Sequence, residues 1–348
     1  MTEPLVEIIE KDVDRILDSV NLWGIKGKSI LVTGASGLLG IYFLGCLRKL
    51  SALGYAPSDV IAVVHSDPTP PLNTFINFSG AKVMQGDLTD PSFLSNLGKF
   101  DFIIHAAGYG QPGRFMEDRV KTLKLNTLTT FSLFGCLNTD GRFLFLSSSE
   151  VYSGNPSPPY LESQIGQTNT THSRSCYIEG KRGGEAICNA YRNLGVNAYS
   201  ARLALAYGPG TKLADKRVIN SFIERGLLQG KISLQDMGVA RRTYCYISDA
   251  VEILWNILLN GAEPVYNVGG LSRTTIAELA NKIGNYLNVP VEFPASVDVL
   301  SGAPEDVFLD MSLVAKEFKK TSYVDFNEGL VRTIEWQKAL YSSEISGV

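Results

Sequence analysis

The chain has 348 residues, of which 45% are apolar and 19% charged, a composition that excludes an intrinsically disordered protein. Its 32 basic and 35 acidic residues give a formal net charge of −3, so we expect no nucleic acid and no acidic membrane surface as its main partner. The five cysteines show no Cys-x-x-Cys spacing, and we predict neither a disulfide scaffold nor a metal site. The sequence shows no membrane-spanning run and no secretory leader, which predicts a cytoplasmic protein.

An amphipathic helix is predicted over residues 3–22, ahead of the main body of the chain. Its apolar face is formed by Leu5, Ile9, Val13, Ile16 and Val20. This helical spacing predicts that the helix packs on the main body as an N-terminal extension over residues 1–26. A role in assembly, or as a lid over a cofactor, is an alternative.

From residue 27 onward, short apolar runs alternate with helical or turn-rich stretches. The runs that predict strands are Lys28–Thr33, Val60–Val64, Ala81–Gln85, Phe100–Ala106 and Arg142–Ser147. A helix is predicted from about Leu38 to Leu53, directly after the first strand. This alternation is typical of βαβ units in a parallel sheet covered on both faces. The sequence therefore predicts an α/β fold with a Rossmann-like doubly wound parallel sheet.

The second half of the chain is less regular. Residues Ser153–Arg174 are rich in Pro, Ser, Asn, Thr and Gly, and predict a long loop of the kind that is often functional. The later predicted helices are Arg217–Gln229, Ala250–Leu259, Thr275–Leu287 and Asn327–Tyr341. We predict a dinucleotide-binding domain over residues 27–206 plus about 243–268. A smaller C-terminal substrate-binding lobe would comprise residues 207–242 plus 269–348.

Three glycines follow the first predicted strand in the run Gly34-Ala-Ser-Gly37-Leu-Leu-Gly40, which opens the first long helix. Glycines at such a strand-to-helix turn let a pyrophosphate approach the backbone, and the helix N-terminus favours its negative charge. The residues predicted here to bind a dinucleotide are Gly34, Ser36, Gly37, Leu38, Leu39 and Gly40.

A Ser, a Tyr and a Lys form the candidate catalytic group. Tyr177 and Lys181 are four residues apart and therefore share a helix face, and Ser148 ends the last predicted strand upstream of them. A free Tyr, with a pKa of about 10, is a poor base at neutral pH. We expect the Lys181 ammonium and a cationic nicotinamide ring to lower the pKa of Tyr177, so that it deprotonates a carbinol while Ser148 holds the same oxygen. An ordinary half-exposed Tyr–Lys pair on a helix is the alternative interpretation.

These motifs resemble the extended branch of the short-chain dehydrogenase/reductase family. The resemblance implies that Asp87 and Leu88 lie against the adenine, and that Ala106, Ala107, Gly108 and Asn126 lie close to the cofactor, with Tyr177 and Lys181 also contacting it. NAD is the implied cofactor. One position departs from the pattern, because His65 stands where NAD-binding members carry an acidic residue, and NADP remains an alternative.

Within that branch the sequence resembles the nucleotide-sugar epimerase/dehydratase group, nearest its UDP-glucuronate decarboxylase subgroup. The shared segments are Ser148–Tyr152 and Cys176-Tyr177-x-Glu179-Gly180-Lys181-Arg182. The resemblance makes Glu150 a candidate acid/base and Arg242 a ligand of the nucleotide diphosphate. It also places Ser148, Ser149 and Arg217 at the substrate. It further implies a homodimer, built from the helices near Lys121–Leu137 and Tyr177–Leu194, and a role in polysaccharide biosynthesis.

Two departures keep the exact reaction open. The subgroup carries an Arg for the sugar carboxylate, whereas the corresponding stretch here, from Glu305 to Asp310, has none. Dehydratases pair an Asp with the Glu of the active-site segment, and here Ser149 holds that place. We therefore predict transient oxidation of a nucleotide-linked sugar at C4, in a decarboxylase, a 4-epimerase or a 4,6-dehydratase. A non-catalytic cofactor-binding protein is the alternative from another class.

Overall fold

The computed structural model describes residues 3–66, 70–294 and 306–345, and its centre is a seven-stranded sheet. The strands are β1 (Ser29–Thr33), β2 (Asp59–Val64), β3 (Ala81–Gln85), β4 (Phe100–His105), β5 (Leu137–Ser148), β6 (Asn197–Leu203), β7 (Leu205–Tyr207), β8 (Ile232–Ser233), β9 (Arg241–Arg242), β10 (Tyr244–Tyr246), β11 (Val265–Val268), β12 (Thr274–Thr275), β13 (Val291–Glu292) and β14 (Asp306–Val307). The large sheet has the order β3-β2-β1-β4-β5-β6-β11, and every neighbouring pair is parallel. The strand order reverses between β1 and β4, where sheets of this kind bind their ligands.

Helices cover both faces of this sheet. They are α1 (Glu3–Ser19), α2 (Leu38–Ala52), α3 (Pro70–Ile76), α4 (Pro91–Ser95), α5 (Pro112–Glu117), α6 (Arg119–Asn126), α7 (Leu128–Phe134), α8 (Ser175–Asn193), α9 (Val218–Gln229), α10 (Ile247–Asn260), α11 (Ile276–Leu287), α12 (Ser312–Phe318) and α13 (Phe326–Ile345). Side chains of β1 alternate between two buried cores, with Ile30 and Val32 in one and Leu31 in the other. This alternation across a sheet buried on both sides confirms the predicted doubly wound α/β fold.

The N-terminal helix packs on the main body, as its apolar face predicts. Leu5, Ile9, Val13 and Ile16 are buried, and α1 lies against α2, α10 and α13. The helix ends at Ser19, three residues earlier than predicted, and a short 3₁₀ turn follows at Trp23–Ile25. The Asn21 side chain accepts the Trp23 N–H and so stabilises this turn in place of a longer helix.

The sequence patterns missed two strands of the large sheet, β6 and β11. In β6 the polar side chains of Ser200 and Arg202 are buried and interrupt the apolar run, and β11 is only four residues long. The helix expected over Lys121–Leu137 is also wrong in its extent. The chain forms α6 and α7 with a break at Thr127, and Leu137 already begins β5.

Shorter strands and helices follow the large sheet in the chain. The strands pair as β7 with β10, as β8 with β13, and as β12-β9-β14. Residues 153–174 form the predicted long loop, whose regular pairing is a single bridge from Tyr160 to Leu309. All five cysteines are buried and free. Among the described residues, no helix combines the length and apolar character needed to cross a bilayer.

Candidate active site

The glycine turn lies at the carboxyl end of β1, beside the end of β4. Gly34 has φ of +66°, and a Cβ there would stand 2.6 Å from the Ala106 carbonyl oxygen, so no other residue fits. The chain then enters α2 through Gly37, whose side-chain hydrogen cannot cap the helix, and the first turn of α2 contains no acidic residue. The first N–H groups of α2 are therefore available to an anion, as a dinucleotide pyrophosphate requires.

The second and third strands end beside a lysine from α6. Lys121 Nζ lies 2.8 Å from Asp87 Oδ2 and 3.4 Å from His65 Nε2. Burial alone would raise the pKa of Asp87, but hydrogen bonds from Lys121 and Thr89 lower it to about 2. Asp87 is thus an anion held by a cation, and His65 shares that cation. Asp67, the acidic residue that follows β2 in the sequence, lies outside the described residues.

The end of β4 is held by a buried Thr–His pair. The ring of His105 accepts the Thr33 hydroxyl at Nδ1, at 2.8 Å, and meets the Leu125 carbonyl through Nε2, at 3.1 Å. Burial lowers the pKa of His105 to about 3, so the ring is neutral and this tautomer follows from the two partners. Thr33 Oγ1 in turn accepts the Ala107 N–H at 3.2 Å. The pair therefore fixes the Ala106–Gly108 turn beside the glycine turn.

Ser148, Tyr177 and Lys181 come together at the carboxyl ends of β4 and β5. The Ser148 hydroxyl lies close enough to the Tyr177 phenol to lower its pKa, and Lys181 Nζ donates to the Leu146 carbonyl oxygen at 2.6 Å. A Cβ on Gly108 would lie 3.7 Å from Lys181 Nζ and 3.9 Å from Asn126 Oδ1. Asn126 Oδ1 is buried and has no hydrogen-bond partner among the residues that the structure describes. An unpartnered amide oxygen and a buried amine beside a glycine backbone suit a polar ligand such as a nicotinamide ribose.

In the protein without a cofactor, the pKa of Tyr177 lies above its ordinary value. Burial raises the pKa of Tyr177 to about 12, while the hydrogen bond from Ser148 opposes that rise. Burial also lowers the pKa of Lys181 to about 7, so its ammonium is only partly populated near neutral pH. Lys181 Nζ contacts the Leu146 carbonyl rather than the phenol oxygen. The desolvation of both groups therefore outweighs the attraction that the sequence spacing suggested.

Glu150 forms an ion pair with Arg174 near Tyr177. It is the second residue of the 3₁₀ turn Ser149–Tyr152, and its Oε1 lies 2.6 Å from an Arg174 guanidinium nitrogen. Burial raises the pKa of Glu150, while Arg174, Arg242 and His172 lower it. Glu150 Oε2 and Arg174 Nε are buried and have no hydrogen-bond partners within the described ranges of the chain. The pair is thus half satisfied and can bind another polar group.

Arg217, expected at the substrate, is held in a local ion pair. Its guanidinium donates to both Asp215 carboxylate oxygens, at 2.6 to 3.0 Å, and to the Ala206 carbonyl oxygen. Ser149 is partly buried at the start of the 3₁₀ turn, next to Glu150. Of the expected substrate ligands, Ser148 and Arg242 are the ones whose charge or hydrogen bond reaches Tyr177 or Glu150.

Two side chains at this site were not identified from the sequence. They are Phe115 and Arg174. The Phe115 ring stacks on the Tyr177 ring, with centroids 4.5 Å apart. The Arg174 guanidinium lies over the Phe115 ring, 5.5 Å from its centroid. Arg174 could have been found, because it stands one helical turn before Tyr177. Phe115 carries no signal in the sequence, since α5 reaches Tyr177 only through the tertiary fold. In the described part of the chain, no group of three or more His, Cys, Asp or Glu side chains is placed to bind a metal.

The fold and this site define a class: a Rossmann-type dehydrogenase/reductase with a Ser, Tyr and Lys at the cofactor. Comparison with known proteins narrows this class to one family. The sequence model of the "NAD dependent epimerase/dehydratase family" matches residues 30–269, and the chain belongs to that family. The family is one of NAD-dependent enzymes, which confirms the predicted family, the assignment as an enzyme and the predicted cofactor NAD.

Individual relatives agree with this assignment. The chain is 30% identical to UDP-glucuronic acid decarboxylase 6 of Arabidopsis thaliana, over 80% of this chain and 78% of the relative. Its fold is similar to that of dTDP-glucose 4,6-dehydratase from Streptomyces venezuelae, crystallised with NAD, at 24% identity and a TM-score of 0.79, covering 90% and 98% of the two chains. It is also similar to UDP-glucuronic acid 4-epimerase from Bacillus cereus, at 22% identity and a TM-score of 0.75, covering 90% and 100%.

Proposed function

We propose that this protein is a nucleotide-sugar enzyme that transiently oxidises its sugar at C4 and then returns the hydride. The observation that carries the proposal is the buried group of Ser148, Tyr177 and Lys181 beside the unpartnered oxygen of Asn126. A hydroxyl pair at the carboxyl end of a doubly wound sheet is where a carbinol would meet the nicotinamide. NAD, when bound, supplies the hydride acceptor and a positive charge on its ring.

We assign the proton transfer to Tyr177. The phenol is held by Ser148 and starts from a pKa of about 12, so it needs an additional positive charge to act as a base near neutral pH. Ser148 would hold the carbinol oxygen by a hydrogen bond. Lys181 donates to the Leu146 carbonyl oxygen and so helps to hold the end of β5, which carries Ser148, in place. Phe115 covers one face of the Tyr177 ring and excludes water from that side.

We assign the sugar and its diphosphate to the cation-lined side of Tyr177. Glu150 is the proposed acid/base at the carbon next to C4, because its Oε2 lacks a partner and burial raises its pKa. Arg242 is the proposed diphosphate ligand. Its charge acts on Glu150, which places it near the proposed sugar site, and a guanidinium binds phosphate oxygens bidentately. Ser149 is proposed to contact the sugar, and Arg217 to support the diphosphate site through its pair with Asp215.

The relatives make UDP-glucuronate the first substrate to test. They are named UDP-glucuronic acid decarboxylases, and a ketone at C4 permits loss of the neighbouring carboxylate as carbon dioxide. One observation favours a second candidate, 4-epimerisation of a sugar without a carboxylate. The stretch from Glu305 to Asp310 contains no Arg that could pair with a sugar carboxylate. Burying that carboxylate without a cation would cost free energy.

The predicted lobes remain part of this proposal. We place the dinucleotide in the domain of residues 27–206 plus about 243–268. The nucleotide sugar would bind between this domain and the C-terminal lobe, residues 207–242 plus 269–348. The residues proposed to contact the cofactor are Gly34, Ser36, Gly37, Leu38, Leu39, Gly40, His65, Asp87, Leu88, Ala106, Ala107, Gly108, Asn126, Tyr177 and Lys181.

We also propose a cytoplasmic homodimer that serves polysaccharide biosynthesis. Exposed apolar side chains on α6, α7 and the end of α8 support the dimer, and they are Val120, Leu123, Leu128, Phe131 and Leu194. Light scattering should give a dimer for the wild type and a monomer for Phe131→Asp. Leu53, directly after α2, is as exposed as Phe131, so Leu53→Asp is the matched control and should stay dimeric.

The reaction is tested with NAD-loaded protein and a panel of nucleotide sugars, beginning with UDP-glucuronate and UDP-glucose. A substrate that carries deuterium at C4 should yield a product that retains the deuterium, because the hydride is returned. Mass spectrometry distinguishes loss of carbon dioxide, loss of water and an unchanged mass. Absence of any product, and of any reduced cofactor, across the whole panel would contradict the proposal.

A further inference from the structure

Residues 208–217, the segment between β7 and α9, pack against α2, the helix that follows the glycine turn. A Cβ at Gly210, which has φ of +96°, would stand 3.2 Å from a Leu38 methyl group and 3.5 Å from the Tyr42 ring. The next residue, Thr211, accepts the Trp336 indole N–H from α13 through its carbonyl oxygen, at 2.9 Å. The segment therefore lies between α13 and the first turns of α2, and it places the side chain that follows Thr211 beside the glycine turn.

That side chain is Lys212, whose Nζ lies 3.4 Å from the Ser36 hydroxyl oxygen. The other cations of this segment are already neutralised, Arg217 by Asp215 at 2.6 Å and Lys216 by Glu224 at 3.3 Å. Lys212 has no carboxylate within ion-pair distance among the residues that the structure describes. It is thus a cation without a protein anion, held against a residue of the glycine turn.

The surroundings of Lys212 are unfavourable for a positive charge. Burial lowers the pKa of Lys212, and the charge of Arg114, on α5, lowers it further. The nearby N-terminus of α2 carries a partial positive charge and has no side-chain cap. An anion bound between Lys212 and this helix end would be attracted by both.

We propose that Lys212 binds the cofactor pyrophosphate at the glycine turn, beside Ser36. This rests on the cofactor site of the proposed function, and it adds a ligand from beyond the glycine-turn motif. The α2 N–H groups would hold the pyrophosphate, and the Lys212 ammonium would add a charged ligand from a segment outside the glycine turn. An additional charged ligand suits an enzyme that must keep its reduced cofactor between two half-reactions.

The test is the dissociation constant of NAD, measured by calorimetry without any sugar. We expect Lys212→Gln to weaken NAD binding by roughly 10- to 30-fold, the loss typical of one charged hydrogen bond, and Lys212→Arg to restore most of it. The difference between wild type and Lys212→Gln should shrink at high salt, because salt screens exposed charges. Lys216→Gln removes an equally exposed cation from the same segment and is the matched control, for which we expect no change.

Two further ligands identify the anion. ADP-ribose contains the pyrophosphate without the nicotinamide, and its affinity should fall with Lys212→Gln as much as that of NAD. UDP carries the diphosphate of a sugar nucleotide, and its affinity should stay unchanged. Unchanged NAD affinity in a variant that melts like the wild type would overturn the proposal, and so would a loss that includes UDP. Because no sugar is turned over, these results do not depend on which reaction the enzyme performs.

Discussion

Two regions of this molecule bury charged side chains and satisfy them to different degrees. The anchor cluster ties α1 to the main body and consists of Asp12, Arg15, Tyr42, Tyr246, Asp249, Glu252, Lys320 and Arg332. The catalytic end of the sheet holds Asn126, Glu150, Arg174, Tyr177 and Lys181. Both sets lie among apolar residues, so desolvation costs both of them free energy.

In the anchor cluster, the charges of Asp12, Asp249 and Lys320 each meet several partners. Asp12 accepts the hydroxyl groups of Tyr42 and Tyr246, at 2.9 and 2.8 Å, and an Arg332 nitrogen at 2.9 Å. Lys320 Nζ lies 2.8 Å from Asp249 and 2.7 Å from Glu252. These bonds join α1, α2, α10 and α13, so the cluster fixes how the helices pack.

At the catalytic end, the charges are left partly unsatisfied. Glu150 and Arg174 share one short contact and keep one unpartnered atom each, and Asn126 keeps a free oxygen. Lys181 has a carbonyl oxygen as its close partner, and burial lowers its pKa to about 7. We infer from this comparison that fuller pairing indicates a structural role here, whereas incomplete pairing supports the proposed ligand-binding role of the second set.

The largest effect should come from Tyr177→Phe, which removes the proposed base and keeps the ring that stacks on Phe115. We expect turnover to fall by about 10³- to 10⁴-fold, because general-base catalysis by a positioned group is lost. The free energy of unfolding should change by only about 1 kcal/mol, since one hydrogen bond is removed. Product formation and urea denaturation measure the two. Near-normal turnover would remove Tyr177 from the mechanism.

Lys320→Met should have the opposite profile. It leaves the buried carboxylates of Asp249 and Glu252 without their shared cation, and we expect a loss of about 3 kcal/mol in the free energy of unfolding. NAD affinity of the folded fraction should be unchanged. Lys338→Met removes an exposed cation paired with Glu335, and its expected change is below about 0.5 kcal/mol. Equal stability of the two variants would show that the anchor cluster is not structural.

Glu150→Gln sharpens the comparison, because it discharges one member of the incompletely paired set. We expect turnover to fall by about 100-fold, the lower range for a lost acid/base. Stability should change by no more than about 1 kcal/mol, since half of the carboxylate has no partner to lose. Chemical denaturation and steady-state rates are the measurements. A loss of stability as large as that of Lys320→Met would contradict the distinction between the two regions.

The last prediction concerns Lys181 and pH, and its effect within one pH unit is small. Its pKa is lowered from 10.5 to about 7 by burial, so between these values the unfolded chain binds a proton that the native protein does not. Native stability therefore rises with pH in that window. Lys181→Met lacks this dependence, and the stability of the wild type relative to the variant should rise by roughly 1 kcal/mol per pH unit above about pH 7. Urea midpoints across pH measure it, and parallel curves for the two proteins would contradict it.

The sequence predicted those parts of the site that depend on local geometry. The glycine turn, the helix that follows it and the Tyr177–Lys181 face are set by spacing along one strand or one helix. The chain could therefore be assigned to its fold class from periodicity and glycine placement. The strands β6 and β11 escaped prediction, because a buried Arg202 paired with Glu185 disguises one and the other is short.

Other features were decided by the tertiary structure alone. Phe115 reaches Tyr177 and Lys212 reaches Ser36 across elements that are far apart in the sequence. Arg217 is occupied by Asp215, although its position suggested a ligand. The pKa values of Tyr177 and Lys181 move by desolvation, which depends on how many atoms of the folded chain surround each group. The sequence by itself determined which chemical groups are present and which helix or strand carries them, and packing determined their partners and their charge.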